Sequence, residues 1–142
     1  MDEEIAIRFV ESGDREFWKS LDRHLNETEF DRKVRDKMGY VLQWRGEPAA
    51  ILRYNLFWDN TPFCNLLYVA EKWQGRGMGA ALMAHWENEM KAQGHDMVMT
   101  STQADESAQH FYRKLGYRDA GGFVLDLPGH EQPLELILIK GI

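Results

Sequence analysis

A chain of 142 residues, 44% hydrophobic and with a single cysteine, is long enough for one domain with a real core and cannot staple itself with an internal disulfide. Its 23 acidic against 17 basic residues leave a net charge of −6, which argues against binding by general attraction to nucleic acid or to an anionic membrane leaflet and favours a cationic partner. No run approaches the ~18 apolar residues of a membrane span, the start MDEEIAIRF lacks the basic opening and apolar core of a secretory signal, and a cytoplasmic location is the expectation.

The elements follow in chain order. Ile5, Ile7 and Phe9 alternate with more polar neighbours and predict a strand, and Ser12, Gly13 and Asp14 then offer a turn and a helix cap. Phe17, Trp18, Leu21 and Leu25 recur at helical spacing. Phe30, Val34 and Met38 repeat behind a second start at Thr28 and stop at Gly39, so two short helices are expected. Three apolar runs come next, at 40–44, 49–58 and 63–69, divided by RGEP and DNTP, which makes antiparallel hairpins the natural reading. Cys64 lies in the last of these runs and reads as a buried, inert thiol.

Leu82, Met83, Trp86 and Met90 form one stripe of a helix that covers a sheet on one side. MVMTST at 97–102 reads as a strand. Asp105 reads as the cap of a helix with Ala108, Phe111, Tyr112 and Leu115 on its apolar face, ended by Gly116. Two further strands are expected in GGFVLDL and PLELILIK, joined by PGHEQ. No linker or repeat divides residues 1–142, so a single domain is expected. The fold class is α/β with a mixed sheet: the strands at 63–69 and 97–102 flank a helix and pair parallel through a right-handed crossover.

WQGRGMGAAL places Gly75, Gly77 and Gly79 at alternate positions before that helix. A helix start leaves its first amides unpaired and carries partial positive charge, and glycine lets the main chain approach an anion closely. A phosphate or diphosphate is the expected occupant. The triphosphate loop GxxxxGK[ST] is absent. The dinucleotide pattern is formally met by Gly75, Gly77 and Ala80, yet Asp96, the candidate ribose contact, precedes its strand instead of ending one.

Gln74–Gly79, QGRGMG, matches the [RQ]xxGx[GA] loop of the GNAT superfamily of N-acetyltransferases, with Leu67, Tyr68 and Val69 at that family's spacing before it. DESAQHFYRKLGY, 105–117, resembles the second signature of the same family. The resemblance implies a mostly antiparallel sheet with one central, splayed parallel strand pair, helices on both faces, and acetyl-CoA as cofactor with no metal. It places the diphosphate on the amides of Gly75, Arg76, Gly77, Met78, Gly79 and Ala80, and the pantetheine arm along Leu67, Tyr68 and Val69. Arg76 is either a phosphate contact or a solvated loop arginine. By position Tyr112 resembles the family's general acid, although its place on the apolar stripe suits an ordinary core tyrosine equally. The resemblance also makes Gln74 and Asp105 cofactor-binding candidates by position; Asp105 stands where the family usually has asparagine, so it keeps the expected cap while its carboxylate offers no N–H donor.

The implied activity is acetyl transfer from acetyl-CoA to a primary amine by direct attack, the acceptor being a small molecule, cationic by preference, or a peptide. The alternative is a non-catalytic, regulatory acetyl-CoA-binding domain of the same fold. FCNLLYV and MVMTST carry no carboxylate to act as base. Asn65 and Thr100 are candidates to orient a water, Glu71 and Glu135 to assist from outside, and Trp58 to line an acceptor site. His85 and Glu89, one turn apart, read as a solvated pair. Neither nucleic acid nor membrane is an expected partner, and the oligomeric state is open, a homodimer included.

Overall fold

Seven strands hydrogen-bond in the order β1-β2-β3-β4-β5-β7-β6 in the computed structural model, which describes residues 4–142; the acidic start Met1–Glu3 lies outside them. β1 is Ile5–Phe9. A 3-10 turn at Ser12–Asp14 leads into α1, Arg15–Leu21, followed by α2, Glu27–Asp36. β2 (Gly39–Trp44), β3 (Glu47–Phe57) and β4 (Thr61–Val69) come next, then α3 (Met78–Ala92), β5 (Met97–Gln103), α4 (Ala108–Lys114), β6 (Arg118–Phe123) and β7 (Glu135–Gly141). The order of elements is the one expected from the sequence. β4 and β5 are the parallel pair, in register at Phe63↔Met99 and Cys64↔Thr100, while β1/β2, β2/β3, β5/β7 and β6/β7 are antiparallel.

The chain forms two compact units, one of residues up to Asn55 with Asn65–Glu89, the other of Leu56–Cys64 with Met90–Ile142. In the first, Val10, Trp18, Phe30, Val41 and Ile51 make a buried cluster that Phe17, Leu21, Leu25, Val34 and Leu66 pack against. Strand alternation turns Tyr40 the other way, to stack on Tyr54, which in turn meets Trp86 of α3. Leu82, Met83 and Trp86 are fully buried, as their stripe predicted, and each such side chain contributes about 1.5–3 kcal/mol by leaving water. His85 is not a purely solvated residue: its ring meets Tyr40 edge-on at 5.2 Å.

Three boundaries differ from the sequence reading. α2 starts after Asn26, whose side chain accepts from the Glu29 amide at 2.8 Å, so Thr28 is already inside the helix. It ends at Lys37, left-handed at φ 56°, because Gly39 is needed in β2, where a Cβ would stand 3.0 Å from Val10. Asp14 precedes α1 without a side-chain capping bond to it; its carboxylate instead takes both terminal nitrogens of Arg8 at 2.8 Å and closes the 3-10 turn through the Glu11 amide.

In the second unit β7 pairs with both β5 and β6. The strand expected over GGFVLDL lies earlier, at Arg118–Phe123, because Gly116 at φ 99° turns the chain out of α4 and buried Tyr117 leads straight into the strand. Val124 and Leu127 are left exposed. Gly122 is required where it stands, since a Cβ there would lie 2.5 Å from the Glu135 carbonyl oxygen.

Candidate functional site

The residues singled out from the sequence fall into two sets, one in each unit. The first is the loop between β4 and α3. A 3-10 turn at Glu71–Trp73 closes with the Trp73 amide on Ala70 and the Gln74 amide on Glu71, and the next main-chain bond is from Ala81 to Gly77 at 3.1 Å, the first of α3. Among the described residues, no group accepts from the amides of Gly75, Arg76, Gly77, Met78, Gly79 or Ala80. Gly75 and Gly77 adopt φ 79° and 83°, and a Cβ at either would meet nothing within 4 Å. Open space over unpaired amides at the positive end of a fifteen-residue helix fits the oxygens of a diphosphate. The cradle is one that side chains would fill.

The flanking residues sharpen this. Gln74 donates its side-chain amide to the Val69 carbonyl at 2.9 Å, so it ties the loop to the end of β4 and occupies a carbonyl assigned from the sequence to the pantetheine arm. Leu67 and Val69 are half-buried, Tyr68 is exposed, and Met78 is buried at 2%. Arg76 lies with its guanidinium 5.0 Å from the centre of the Trp73 ring, as does the Lys72 ammonium at 5.1 Å. Lys72 also pairs with Glu47 at 2.6 Å, whereas Arg76 has no carboxylate among the described residues. Trp73 is half-buried, and no described group accepts from its Nε1. Its neighbour Trp44 lies tilted against it at 6.1 Å.

The second set surrounds Tyr112 on α4. Its ring is 7% exposed and packs edge-on against Phe111 and Tyr117, at 5.2 and 5.7 Å. Burial, joined by Cys64, pushes the phenol well above its ordinary value, while a hydrogen bond with the Thr100 side chain pulls the other way. The phenol is therefore protonated throughout the neutral range. Thr100 is 1% exposed and donates to the Cys64 carbonyl at 3.0 Å.

Asp105 does not cap α4. It is exposed in the turn at 104–107, and the residue next to α4 is Ser107. The carboxylate that acts in this turn is one position on: Glu106 accepts from the Gln103 amide at 3.1 Å and from the Thr102 hydroxyl at 3.2 Å. Gln109 closes the turn on the carbonyls of Ala104 and Glu106. Trp58 is 74% exposed at φ 57°. Among the described residues no group of three or more His, Cys, Asp or Glu could hold a metal ion, and no helix is long and apolar enough to cross a membrane.

Among the described residues the sheet is mixed, with seven strands and one parallel pair, and a glycine loop opens the longest helix. The sequence matches the Acetyltransferase (GNAT) family over residues 4–117, and the chain belongs to that family. Among solved structures it is similar to Ard1 from Thermoplasma volcanium, with a TM-score of 0.82 at 17% identity over 98% of each chain. It is similar to the ribosomal-protein-S18-alanine N-acetyltransferase from Escherichia coli, at 0.78 and 20% over 97% of this chain and 94% of that one. A GNAT family acetyltransferase from Elizabethkingia anophelis with acetyl-CoA bound matches at 0.77 and 17% over 99% and 100%. At these identities the likeness is one of fold. No curated protein matches the sequence.

Proposed function

We propose that the protein is an N-acetyltransferase that moves the acetyl group of acetyl-CoA to a primary amine by direct attack. The observation that carries this reading is the row of amides from Gly75 to Ala80 with no acceptor of their own, lying beside glycines whose Cβ positions are open. Acetyl-CoA supplies the acetyl group as an activated thioester. The loop amides hold the diphosphate, Arg76 adds a guanidinium to the phosphates, and the main chain of Leu67 to Val69 lies along the pantetheine arm. Tyr112 gives its proton to the departing sulfur. Asp105, exposed and lacking an N–H, has no part in this account.

No carboxylate stands on β4 or β5 to take the amine's proton. An alkyl amine of pKa ~10.4 is neutral only about once in 10³ molecules at pH 7, whereas an α-amino group of pKa ~7.7–8.0 is neutral about once in ten. An acceptor with a depressed amine pKa therefore suits this protein, and the net charge of −6 favours one that is cationic elsewhere. The same lack of a base favours a second reading, a regulatory domain that binds acetyl-CoA without chemistry.

Thiol release distinguishes the two. Protein and acetyl-CoA are mixed with a panel of polyamines, amino acids and peptides with free N-termini, and the freed thiol is followed over time. Release that depends on one amine supports the enzyme; tight cofactor binding with no release above the uncatalysed rate supports the regulatory domain.

A further inference from the structure

We propose that Tyr117 is a positioning residue for Tyr112: the turn that ends α4 also locks the orientation of the ring that gives the proton. The inference rests on the reading of Tyr112 given above and extends it to the residue after Gly116.

α4 has seven residues, too few for a helix to hold its shape alone in water, and Ser107 before it makes no side-chain bond to its first amides. Its order comes from outside. Gln109 ties its start to the carbonyls of Ala104 and Glu106 at 2.8 and 3.1 Å, and Arg113 donates to both carboxylate oxygens of Asp119 on β6 at 3.0 and 3.2 Å. These bonds hold the helix and not the ring of Tyr112.

The contacts that reach Tyr112 come from the helix stop. Gly116 at φ 99° reverses the chain, so that the Gly116 amide donates to the Arg113 carbonyl and the Tyr117 amide to the Tyr112 carbonyl, each at 3.0 Å. Closure of a helix on a glycine by this pair of bonds commonly brings the side chain after the glycine against the one five positions earlier. Here both side chains are aromatic. The rings of Tyr112 and Tyr117 meet edge-on, centroids 5.7 Å apart and planes at 66°, a favoured aromatic geometry. Tyr117 is held in turn: it is 3% exposed, and the Lys140 ammonium of β7 lies 5.7 Å from its ring centre. The Lys140 stem passes 3.4 Å from where a Cβ on Gly116 would stand, so glycine both makes the turn and leaves room for that stem.

The closing bonds use backbone alone, and any side chain at 117 could make them. What the ring adds is direction. A proton donor has to stand within hydrogen-bond reach of the departing sulfur, and a misplacement of about 1 Å costs about 10²-fold in rate. In that step the O–H bond of Tyr112 breaks and its proton forms the S–H bond as the carbon–sulfur bond opens; the amine sheds its extra proton to solvent, and Tyr112 regains one from solvent.

The test has a ligand-free arm and a kinetic arm. With 13C-labelled tyrosine rings, the Tyr112 signals, assigned by their loss in Tyr112→Phe, should show faster ring flipping in Tyr117→Leu than in the parent and unchanged flipping in Tyr117→Phe. Equal flipping in Tyr117→Leu and the parent overturns the proposal. In the kinetic arm, acetyl-CoA and hydroxylamine, an amine that is neutral at neutral pH, are followed by thiol release above the uncatalysed rate. Tyr117→Leu should lower kcat about 10- to 100-fold, leave KM for acetyl-CoA unchanged, and cost nothing further in the Tyr112→Phe background, while Tyr117→Phe stays near the parent. An equal loss in both backgrounds makes Tyr117 a packing residue and overturns the proposal, as does a loss in Tyr117→Phe as large as that in Tyr117→Leu. Full turnover in Tyr112→Phe overturns the proposal together with the reading beneath it. If Tyr117→Leu does not fold, Tyr117→Met, whose flexible chain adapts to the same space without a ring, replaces it under the same outcomes.

Discussion

Replacing Gly77 by valine tests the anion cradle directly. At φ 83° a β-branched residue is strained by about 1–3 kcal/mol, but its side chain meets no protein atom within 4 Å, so the strain is local and the fold survives. In a domain of this size the melting temperature should fall by no more than about 10 °C. On the proposed reading the added carbons take up open space beside Gly77 that the diphosphate oxygens use. Loss of two charge-assisted hydrogen bonds at about 1.5–3 kcal/mol each weakens acetyl-CoA by about 10²- to 10⁴-fold. Calorimetric titration of folded Gly77→Val with acetyl-CoA reads that number, and circular dichroism controls for the fold. An affinity within threefold of the parent, in a folded variant, would refute the assignment of the loop.

Tyr112→Phe should leave acetyl-CoA affinity intact and lower kcat about 10²-fold or more, read by thiol release at saturating cofactor. Arg76→Ala should weaken acetyl-CoA about 3- to 10-fold, with the gap closing as salt rises, since this guanidinium is exposed and screened; the fluorescence of Trp73 beneath it should change on cofactor binding in the parent and less so in the variant. Burial alone would raise the Asp22 carboxyl, but hydrogen bonds from Arg53, at 2.7 Å, and from Trp18 hold it below its ordinary value. Its contribution to stability is therefore present above that ordinary value and lost as pH falls through the lowered one, so Asp22→Asn should flatten the acid limb of a melting-temperature profile below the ordinary carboxylate range. Arg53→Ala, which strands the buried carboxylate, should destabilise by about 3–5 kcal/mol at pH 7 in denaturant unfolding.

What the sequence shows well is whatever repeats. The stripe of Leu82, Met83, Trp86 and Met90 is fully buried because four side chains on one helical face leave no other orientation. The short turns between β2, β3 and β4 admit only antiparallel neighbours, and the helix between β4 and β5 demands a parallel pair. Single-residue choices are less legible. Asn26 and Thr28 both cap helices well, and only the tertiary placement of Phe30 selects Asn26. Asp105 and Glu106 both carry carboxylates, but the longer side chain reaches back to the Gln103 amide once β5 extends through that residue.

The two sets of candidate residues differ in the same way. Gly75 and Gly77 are conspicuous because a positive φ in open space is a local requirement, satisfied by a residue type that can be counted along the chain. Trp73 was missed because nothing local separates a tryptophan that supports Arg76 from one that fills a core. Tyr112 shares its stripe with Ala108 and Leu115, and the pattern treats it as one more apolar residue. Its distinction is its surroundings, a buried ring packed against Phe111 and Tyr117, which the pattern does not encode. Spacing therefore identifies a candidate binding loop far more readily than a candidate proton donor, since the first is a property of consecutive backbone and the second of packing between distant residues.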